Sequence, residues 1–175
     1  MVVRLNNPVK QNSQLGSAVV LHWPPSLHWV NDQFFEFCQA NKELRIERTA
    51  QGDCEIMALT GGETSWRNSG LIAQLYNWAE SDGSGVVFDS SGGFIFPNGA
   101  IRSPDVSWVK KIRLAALTSE QKQRFLPLCP DFVIELRSPS DSLKALQDKM
   151  QEYIESGASL GWLIDPEANT ATLKI

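Results

Sequence analysis

The sequence predicts one α/β (α+β) domain in which a mixed β-sheet is flanked by helices. Three observations carry this. Segments with helical apolar spacing alternate with short aliphatic and aromatic runs in the order helix, hairpin, helix, three strands, central strand, helix, strand, an order that places helices against a sheet. The run PDFVIEL, residues 130–136, is apolar on both faces, as a strand in the middle of a covered sheet must be. The 175 residues suffice for a single core, since a chain of this size buries ~70% of its unfolded surface.

Residues 1–24 read as an extended N-terminal segment and residues 25–175 as the single domain, divided where Pro24 and Pro25 interrupt regular structure. Within the first segment SAVVLHW is an extended piece. Trp29 or Val30, Phe34, Phe37 and Cys38 recur at helical spacing, so a helix is expected over about 28–40. KELRIERTA and CEIMAL form a hairpin around Gln51–Gly52–Asp53. After the Gly61–Gly62 break, Trp66, Leu71, Leu75 and Trp78 make one stripe of an amphipathic helix running from Glu63 to Ser81. GVVFDSSGGFIF is a strand, a Ser-Gly turn and a second strand, and IRSPDVSWVKK is a third. Thr118 or Ser119 caps a short helix in TSEQKQR. PDFVIELRS is the central strand. In SLKALQDKMQEYIESG the buried stripe is Leu143, Leu146, Met150, Tyr153 and Ile154, and Gly157 ends the helix. LGWLIDPEANTATLKI closes the chain with two strands about an Asp-Pro-Glu turn.

Composition narrows the function. Hydrophobic residues at 42% and charged residues at 21% are ordinary for a soluble globular protein. A net charge of −4 argues against wholesale polyanion binding and leaves room for a local basic groove. Cys38, Cys54 and Cys129 are odd in number and widely spaced, so neither a disulfide framework nor a zinc pattern follows, and a reducing cytoplasm is the expected location. No signal-peptide core is present, and no apolar run approaches the ~20 residues that cross a bilayer. No membrane partner is expected.

Glu135 is the anomaly in the central strand. A carboxylate in an aliphatic strand loses several kcal/mol of solvation unless it is paired, protonated or bound to a metal. Alternation puts Phe132, Ile134 and Leu136 on one face and Asp131, Val133, Glu135 and Arg137 on the other. Pro104–Asp105 opens an earlier strand. If the two strands are neighbours, Asp105 and Glu135 converge, and two like charges held together call for a cation. Oxygen donors without a Cys or His set favour Mg²⁺ or Mn²⁺ over Zn²⁺. Six basic residues, Arg102, Lys110, Lys111, Arg113, Lys122 and Arg124, lie from 102 to 124 next to this pair, where they are suited to track a phosphate backbone.

Pro-Asp, an acid on an apolar strand and a following helix resemble the PD-(D/E)xK nuclease superfamily, and more closely a large bacterial family of restriction-endonuclease-like proteins within it. The shared set is EIMALTGGE, SPDVSWV, PDFVIELRSPSD, the K-x-x-x-Y-x-x-x-G of Lys149, Tyr153 and Gly157, and WLIDPE. The likeness covers roughly residues 25 to 175. It implies a restriction-endonuclease-like core with Asp105 and Glu135 as metal ligands, the backbone carbonyl of Leu136 completing the site, and a metal-activated water that attacks a DNA phosphodiester. Some members of the superfamily carry a further acid at the position of Glu63, and a lysine holds the water. The chain departs from the pattern where Arg137 replaces the third-position lysine. Arginine stays protonated, so it orients a phosphate or supports Glu135 rather than acting as a base. On a helical wheel Lys149, at the edge of the buried stripe, is the candidate for a relocated lysine.

The expectation is therefore a Mg²⁺- or Mn²⁺-dependent DNA endonuclease acting as a homodimer, since cutting both strands uses two sites. The competing reading is a non-catalytic member of the same fold that binds nucleic acid or protein, and the missing lysine favours it. A two-carboxylate glycosidase is the third reading, and it predicts metal-independent turnover. Taken singly, Glu135 also reads as half of a structural ion pair, Glu63 as a helix-dipole acid, and the basic stretch as a solvated loop.

Overall fold

The computed structural model describes residues 18–24 and 29–175. The chain builds two five-stranded sheets instead of one. The first contains β1 (Ala18–Leu21), β2 (Arg45–Arg48), β3 (Cys54–Met57), β5 (Phe94–Ile95) and β6 (Ile101–Arg102), in the spatial order β1-β3-β2-β6-β5 and antiparallel throughout. The second contains β4 (Gly85–Asp89), β7 (Val106–Lys110), β8 (Phe132–Leu136), β9 (Leu160–Asp165) and β10 (Thr170–Lys174), in the order β10-β9-β8-β7-β4. This sheet is mixed: β8 and β9 are parallel and the other pairs antiparallel. The helices are α1 (Asn31–Ala40), α2 (Gly62–Asp82), α3 (Lys111–Ala115), α4 (Ser119–Lys122) and α5 (Leu143–Glu155). Among the described residues no helix is long and apolar enough to cross a membrane.

The N-terminal segment expected over 1–24 is described only from residue 18, where Ala18–Leu21 pairs with β3. Residue 28, the expected start of the first helix, lies outside the described residues. The hairpin of β2 and β3 forms with Arg48 opposite Cys54. The short α4 is capped as its sequence suggests. Thr118 Oγ1 accepts the Gln121 N–H at 3.2 Å, and the Gln121 side chain accepts the Thr118 N–H at 2.9 Å.

Two segments differ from the sequence reading for one reason: local alternation does not say which sheet a strand joins. GVVFDSSGGFIF forms no hairpin, because β4 enters the second sheet and β5 the first. IRSPDVSWVKK is cut in two at the fully buried Pro104, so β6 lies in the first sheet and β7 in the second. Proline lacks the N–H a ladder needs, and the break lets the chain change sheets. Ser103 ties both crossings together, its hydroxyl donating to Ser90 O at 2.7 Å and Gly92 O at 2.9 Å.

The core has two parts. In the first sheet Ile46, Cys54 and Ile101 are buried with Phe34 of α1, so the alternate positions Arg45, Glu47, Glu55 and Arg102 belong to the opposite face. In the second, Val109, Val133 and Leu163 pack with Met150 and Tyr153 of α5. The other face of β8 turns toward α2, and a cavity between them is lined by Ile134, Phe132, Leu71, Leu75 and Trp78. The α2 stripe is shallower than its pattern. Leu71 and Leu75 are half-buried, while Trp66 and Trp78 are 74% and 50% exposed, because the helix packs on β4 and β7 at the sheet edge. Leu143, the first residue of α5, is also exposed.

Two glycines give a test. Gly83 ends α2 at φ +73° with open space around it, whereas a β-carbon on Gly85 would land on the Trp108 indole. Gly83→Ala is expected to cost about 1–2 kcal/mol through the left-handed backbone, and Gly85→Ala at least as much, about 1–3 kcal/mol, through overpacking. Urea unfolding followed by tryptophan emission separates them, because only Gly85→Ala should shift the native spectrum. An unshifted spectrum would show that the indole yields freely.

Candidate active site

The β7–β8 pairing sets Val106 opposite Ile134. Continued by one residue, that antiparallel register sets Asp105 across from Glu135. Asp105 Oδ2 accepts the Leu136 N–H at 2.9 Å, which pins the carboxylate to the end of β8. Glu135 is 3% exposed. Its Oε1 accepts the Tyr153 hydroxyl at 2.6 Å and lies 3.1 Å from Lys149 Nζ. Both contacts fall on Oε1, which leaves Oε2 without a hydrogen-bond partner among the described residues. Lys149 and Tyr153 stand one turn apart on α5, so one helix face delivers both.

The same ammonium donates to Glu47 Oε1 at 3.0 Å. Glu47, 1% exposed, also accepts the Ser103 N–H at 2.9 Å and lies 3.2 Å from Arg102 Nη1. Arg102 reaches Glu55 as well, and its Nε donates to Glu152 Oε2 at 2.6 Å. Arg45 Nη1 lies 3.3 Å from Asp105 Oδ1, and its Nη2 donates to the Ser103 carbonyl. Five carboxylates, Glu47, Glu55, Asp105, Glu135 and Glu152, thus meet three cations, Arg45, Arg102 and Lys149. Fully ionised, the cluster keeps two uncompensated negative charges.

Two buried acids on one ammonium titrate in opposite directions. Burial pushes Glu135 up, and Lys149 and the Tyr153 hydroxyl offset only part of this against the Asp105 and Glu47 charges, so it sits at about 7. Burial also pushes Glu47 up, but Lys149, Arg102, Arg45 and the Ser103 N–H outweigh it and hold the carboxyl below the usual range. Burial alone would favour neutral Lys149, yet Glu135 and Glu47 hold it protonated.

Of the residues singled out in the sequence, the structure brings together Asp105, Glu135, Lys149 and the backbone of Leu136. Arg137 is elsewhere. It follows the last residue of β8, and its Nη1 lies 2.7 Å from Asp165 and 3.6 Å from Glu167. Glu63 is on the surface of α2, 2.6 Å from Arg67. The basic stretch is largely consumed by structural contacts. Arg102 is in the buried cluster, Lys110 and Arg113 pair with Asp131, Lys111 donates to the Gly83 carbonyl, and Arg124 pairs with Asp32. Glu47, Arg45, Glu152 and the Tyr153 hydroxyl were not found from sequence. The signal for Glu47 was present, since RIE in β2 repeats the aliphatic-then-acid step of VIE in β8. A tyrosine in a buried stripe likewise needs a partner for its hydroxyl.

The fold is shared with the crystal structure of a putative nuclease belonging to DUF820 from Anabaena variabilis ATCC 29413. The TM-score is 0.62, with 19% sequence identity and coverage of 74% of this chain and 70% of that one. Two sheets flanked by helices, an α+β arrangement, are the fold that the two proteins share. The family model Uma2, described as "Putative restriction endonuclease", matches residues 31–173, and the chain belongs to this family. None of the curated proteins matches it.

The cluster makes stability depend on pH. Folded Glu135, at about 7 against an ordinary 4.5, keeps a proton that the unfolded chain has released. Its contribution to stability is therefore lost as pH rises from about 4.5 to 7. Glu47 and Lys149 titrate outside this window, being shifted below 4.5 and above 10.5. Thermal melts between these limits should show a loss on the order of 3 kcal/mol from this group, absent in Glu135→Gln. Equal slopes in both proteins would contradict the assignment.

Proposed function

We propose that the chain is a Mg²⁺- or Mn²⁺-dependent endonuclease that hydrolyses DNA phosphodiester bonds, with Asp105 and Glu135 as the ion's carboxylate ligands and Lys149 as the cationic group of the reaction. The observation that carries this reading is the Lys149 ammonium 3.1 Å from Glu135 Oε1, on a strand whose register sets Asp105 opposite. The third-position lysine that Arg137 replaces has an equivalent here on α5.

The donor chemistry fits a hard divalent ion. The cluster offers carboxylate oxygens, one of them Glu135 Oε2 without a hydrogen-bond partner among the described residues, and an excess of two negative charges. Among the described residues no three His, Cys, Asp or Glu side chains converge closely enough to hold an ion alone. Such a site would rest on Asp105, Glu135 and the Leu136 carbonyl, with water completing the shell as Mg²⁺ sites ordinarily allow. A bound ion would supply Lewis-acid stabilisation of phosphate charge and a more acidic water.

The protein's own groups do the positioning. Tyr153 holds Glu135 Oε1, so Oε2 is the oxygen left to face a ligand. Glu47 shares Lys149 with Glu135 and fixes where its Nζ sits. Because Lys149 is an ammonium in this state, it donates to a water or phosphate oxygen and accepts no proton until it has lost one. Arg137 and Glu63 contribute nothing to this arrangement: Arg137 is a brace between the ends of β8 and β9, and Glu63 stabilises the first turn of α2. The proposal retains a twofold pair of chains for cutting duplex DNA and a cytoplasmic location, with Cys38, Cys54 and Cys129 as free thiols.

Three measurements test this. Calorimetric titration with Mn²⁺ should give an affinity that falls about tenfold or more in Asp105→Asn and in Glu135→Gln. Supercoiled-plasmid nicking should stop with chelator and drop by about 100-fold or more in Lys149→Gln without loss of ion affinity. Arg137→Gln should lower stability and leave the nicking rate per folded molecule intact. Ion binding without nicking in the wild type would favour the non-catalytic reading, and nicking that survives chelator would exclude the metal site.

A further inference from the structure

Arg45 stands out because it is the guanidinium held on Asp105, and it is held on that carboxylate by one contact only. Its Nη1 lies 3.3 Å from Asp105 Oδ1, its Nη2 donates to the Ser103 carbonyl and is 3.9 Å from Glu47 Oε1, and its Nε is buried with no hydrogen-bond partner among the described residues. A guanidinium bound for its own sake forms two parallel, shorter bonds to a carboxylate. The other arginines nearby are committed. Arg102 is shared among Glu47, Glu55 and Glu152, Arg137 is on Asp165 and Glu167, and Arg48 is on the Trp29 and Gly99 carbonyls and Asn31.

Two grooves of about 630 Å³ each meet at this cluster, and their charges differ. The one bordered by Lys149 presents Glu47, Glu55, Asp141, Asp148 and Glu152 against Lys149 and Arg102. The one bordered by Arg45 presents Lys42 and Arg45 against Glu43, with Ser90 and Ser91 on its wall and Arg102, whose guanidinium is taken up by Glu47, Glu55 and Glu152, on its border. A polyanion avoids the first and is drawn to the second.

We propose that Arg45 is the resident countercharge of Asp105 in the ion-free protein and becomes the phosphate-contacting guanidinium when a divalent cation replaces it there, the DNA strand lying in the groove that Arg45 shares with Lys42 and Ser91. This rests on the nuclease reading above and adds to it a residue and a side of approach. The role that the chain pattern offered to Arg137 passes to Arg45, which sits at the start of β2 on the same face as Glu47. A cation on Asp105 repels the guanidinium beside it, and a phosphate in the adjoining groove is the partner its planar fork suits.

The prediction is a change of opposite sign in two affinities. In Arg45→Gln, Mn²⁺ measured by calorimetry should bind about tenfold tighter, because the competing charge is gone. A labelled short duplex, followed by anisotropy in Ca²⁺, should bind about fivefold or more weakly, with a salt slope reduced by about one. Arg45→Lys, which keeps the charge, should bind Mn²⁺ as the wild type does. A merely structural Arg45 would move both affinities down with the melting temperature, and that result overturns the proposal, as does unchanged Mn²⁺ affinity in Arg45→Gln. Should that variant fail to fold, the wild-type chain answers by NMR: the Arg45 Nε–H resonance must move as Mg²⁺ saturates, and a stationary resonance overturns the exchange. Lys42→Glu must weaken duplex binding without changing Mn²⁺ affinity, or the strand path is wrong. If the wild type takes up neither Mn²⁺ nor duplex, the nuclease reading itself falls.

Discussion

The structure turns on one buried ammonium held between two buried carboxylates. Glu47 comes from β2, Glu135 from β8 and Lys149 from α5, and the three meet with exposures of 1% and 3% for the acids. Bringing such groups out of water costs several kcal/mol each, and mutual attraction repays this only where the geometry is right and the remaining lone pairs are satisfied. That condition links three elements that have little other reason to coincide. The first sheet must present its charged face to α5, the second must deliver β8 beneath it, and α5 must turn so that Lys149 and Tyr153 point the same way. Such a triad is weak evidence of net stabilisation and good evidence of a specified arrangement, since a shift in any element strands a charge.

The two acids are not equivalent, and the reason lies in the chain crossings. Glu47 is supported from the first sheet by Arg102 and Arg45 and from the β6–β7 crossing by the Ser103 N–H. Glu135 has Lys149 and a neutral hydroxyl, and it faces Asp105 across the strand pair. One carboxylate is over-supplied with positive charge and the other under-supplied. The under-supplied one also keeps an oxygen without a hydrogen-bond partner among the described residues. A structural ion pair gains nothing from this asymmetry, and the proposed ion site draws on it, because the carboxylate that would take the cation is the under-supplied one.

How much of this was legible in the sequence depends on whether the physics is local. The helices other than α3, the hairpin, the capped α4 and the central β8 follow from spacing, turn residues and apolar runs, which act within a few residues. The division into two sheets does not. Phe94–Ile95 and Ile101–Arg102 look like parts of neighbouring strands until Pro104 and the Ser90–Gly93 turn carry the chain across. Glu47 was missed because Arg45, Glu47 and Glu55 alternate with Ile46 and Ile56 in the manner of a solvated sheet face. What buries that face is α5, a hundred residues later, and nothing local reports it. Glu135 was legible because its neighbours are apolar on both sides. A misplaced charge shows only against an apolar background.

Arg137 shows what alternation leaves open, since it names a face and not a partner. β8 ends at Leu136, opposite Ile164 of β9, and one further step of that register sets Arg137 beside Asp165. Arg137 donates its N–H to Ile164 O at 2.9 Å, and its guanidinium pairs with Asp165, closing the ends of the parallel pair β8–β9. A lysine there would sit beside the acid by strand geometry alone. With that position used as a brace, the cation has to arrive from another element, and α5 supplies it one turn before the tyrosine that orients the same oxygen. The lysine's placement then depends on helix packing, on Met150 and Tyr153 filling the core beneath it, and no longer on the strand that carries the acid. Strand and helix can therefore vary separately only while that packing keeps Lys149 Nζ within reach of Glu135. The spacing from the acid to the lysine is accordingly a property of the β8–α5 connection, and on the proposed reading the motif is a carboxylate and an ammonium on facing elements rather than adjacent letters in a strand.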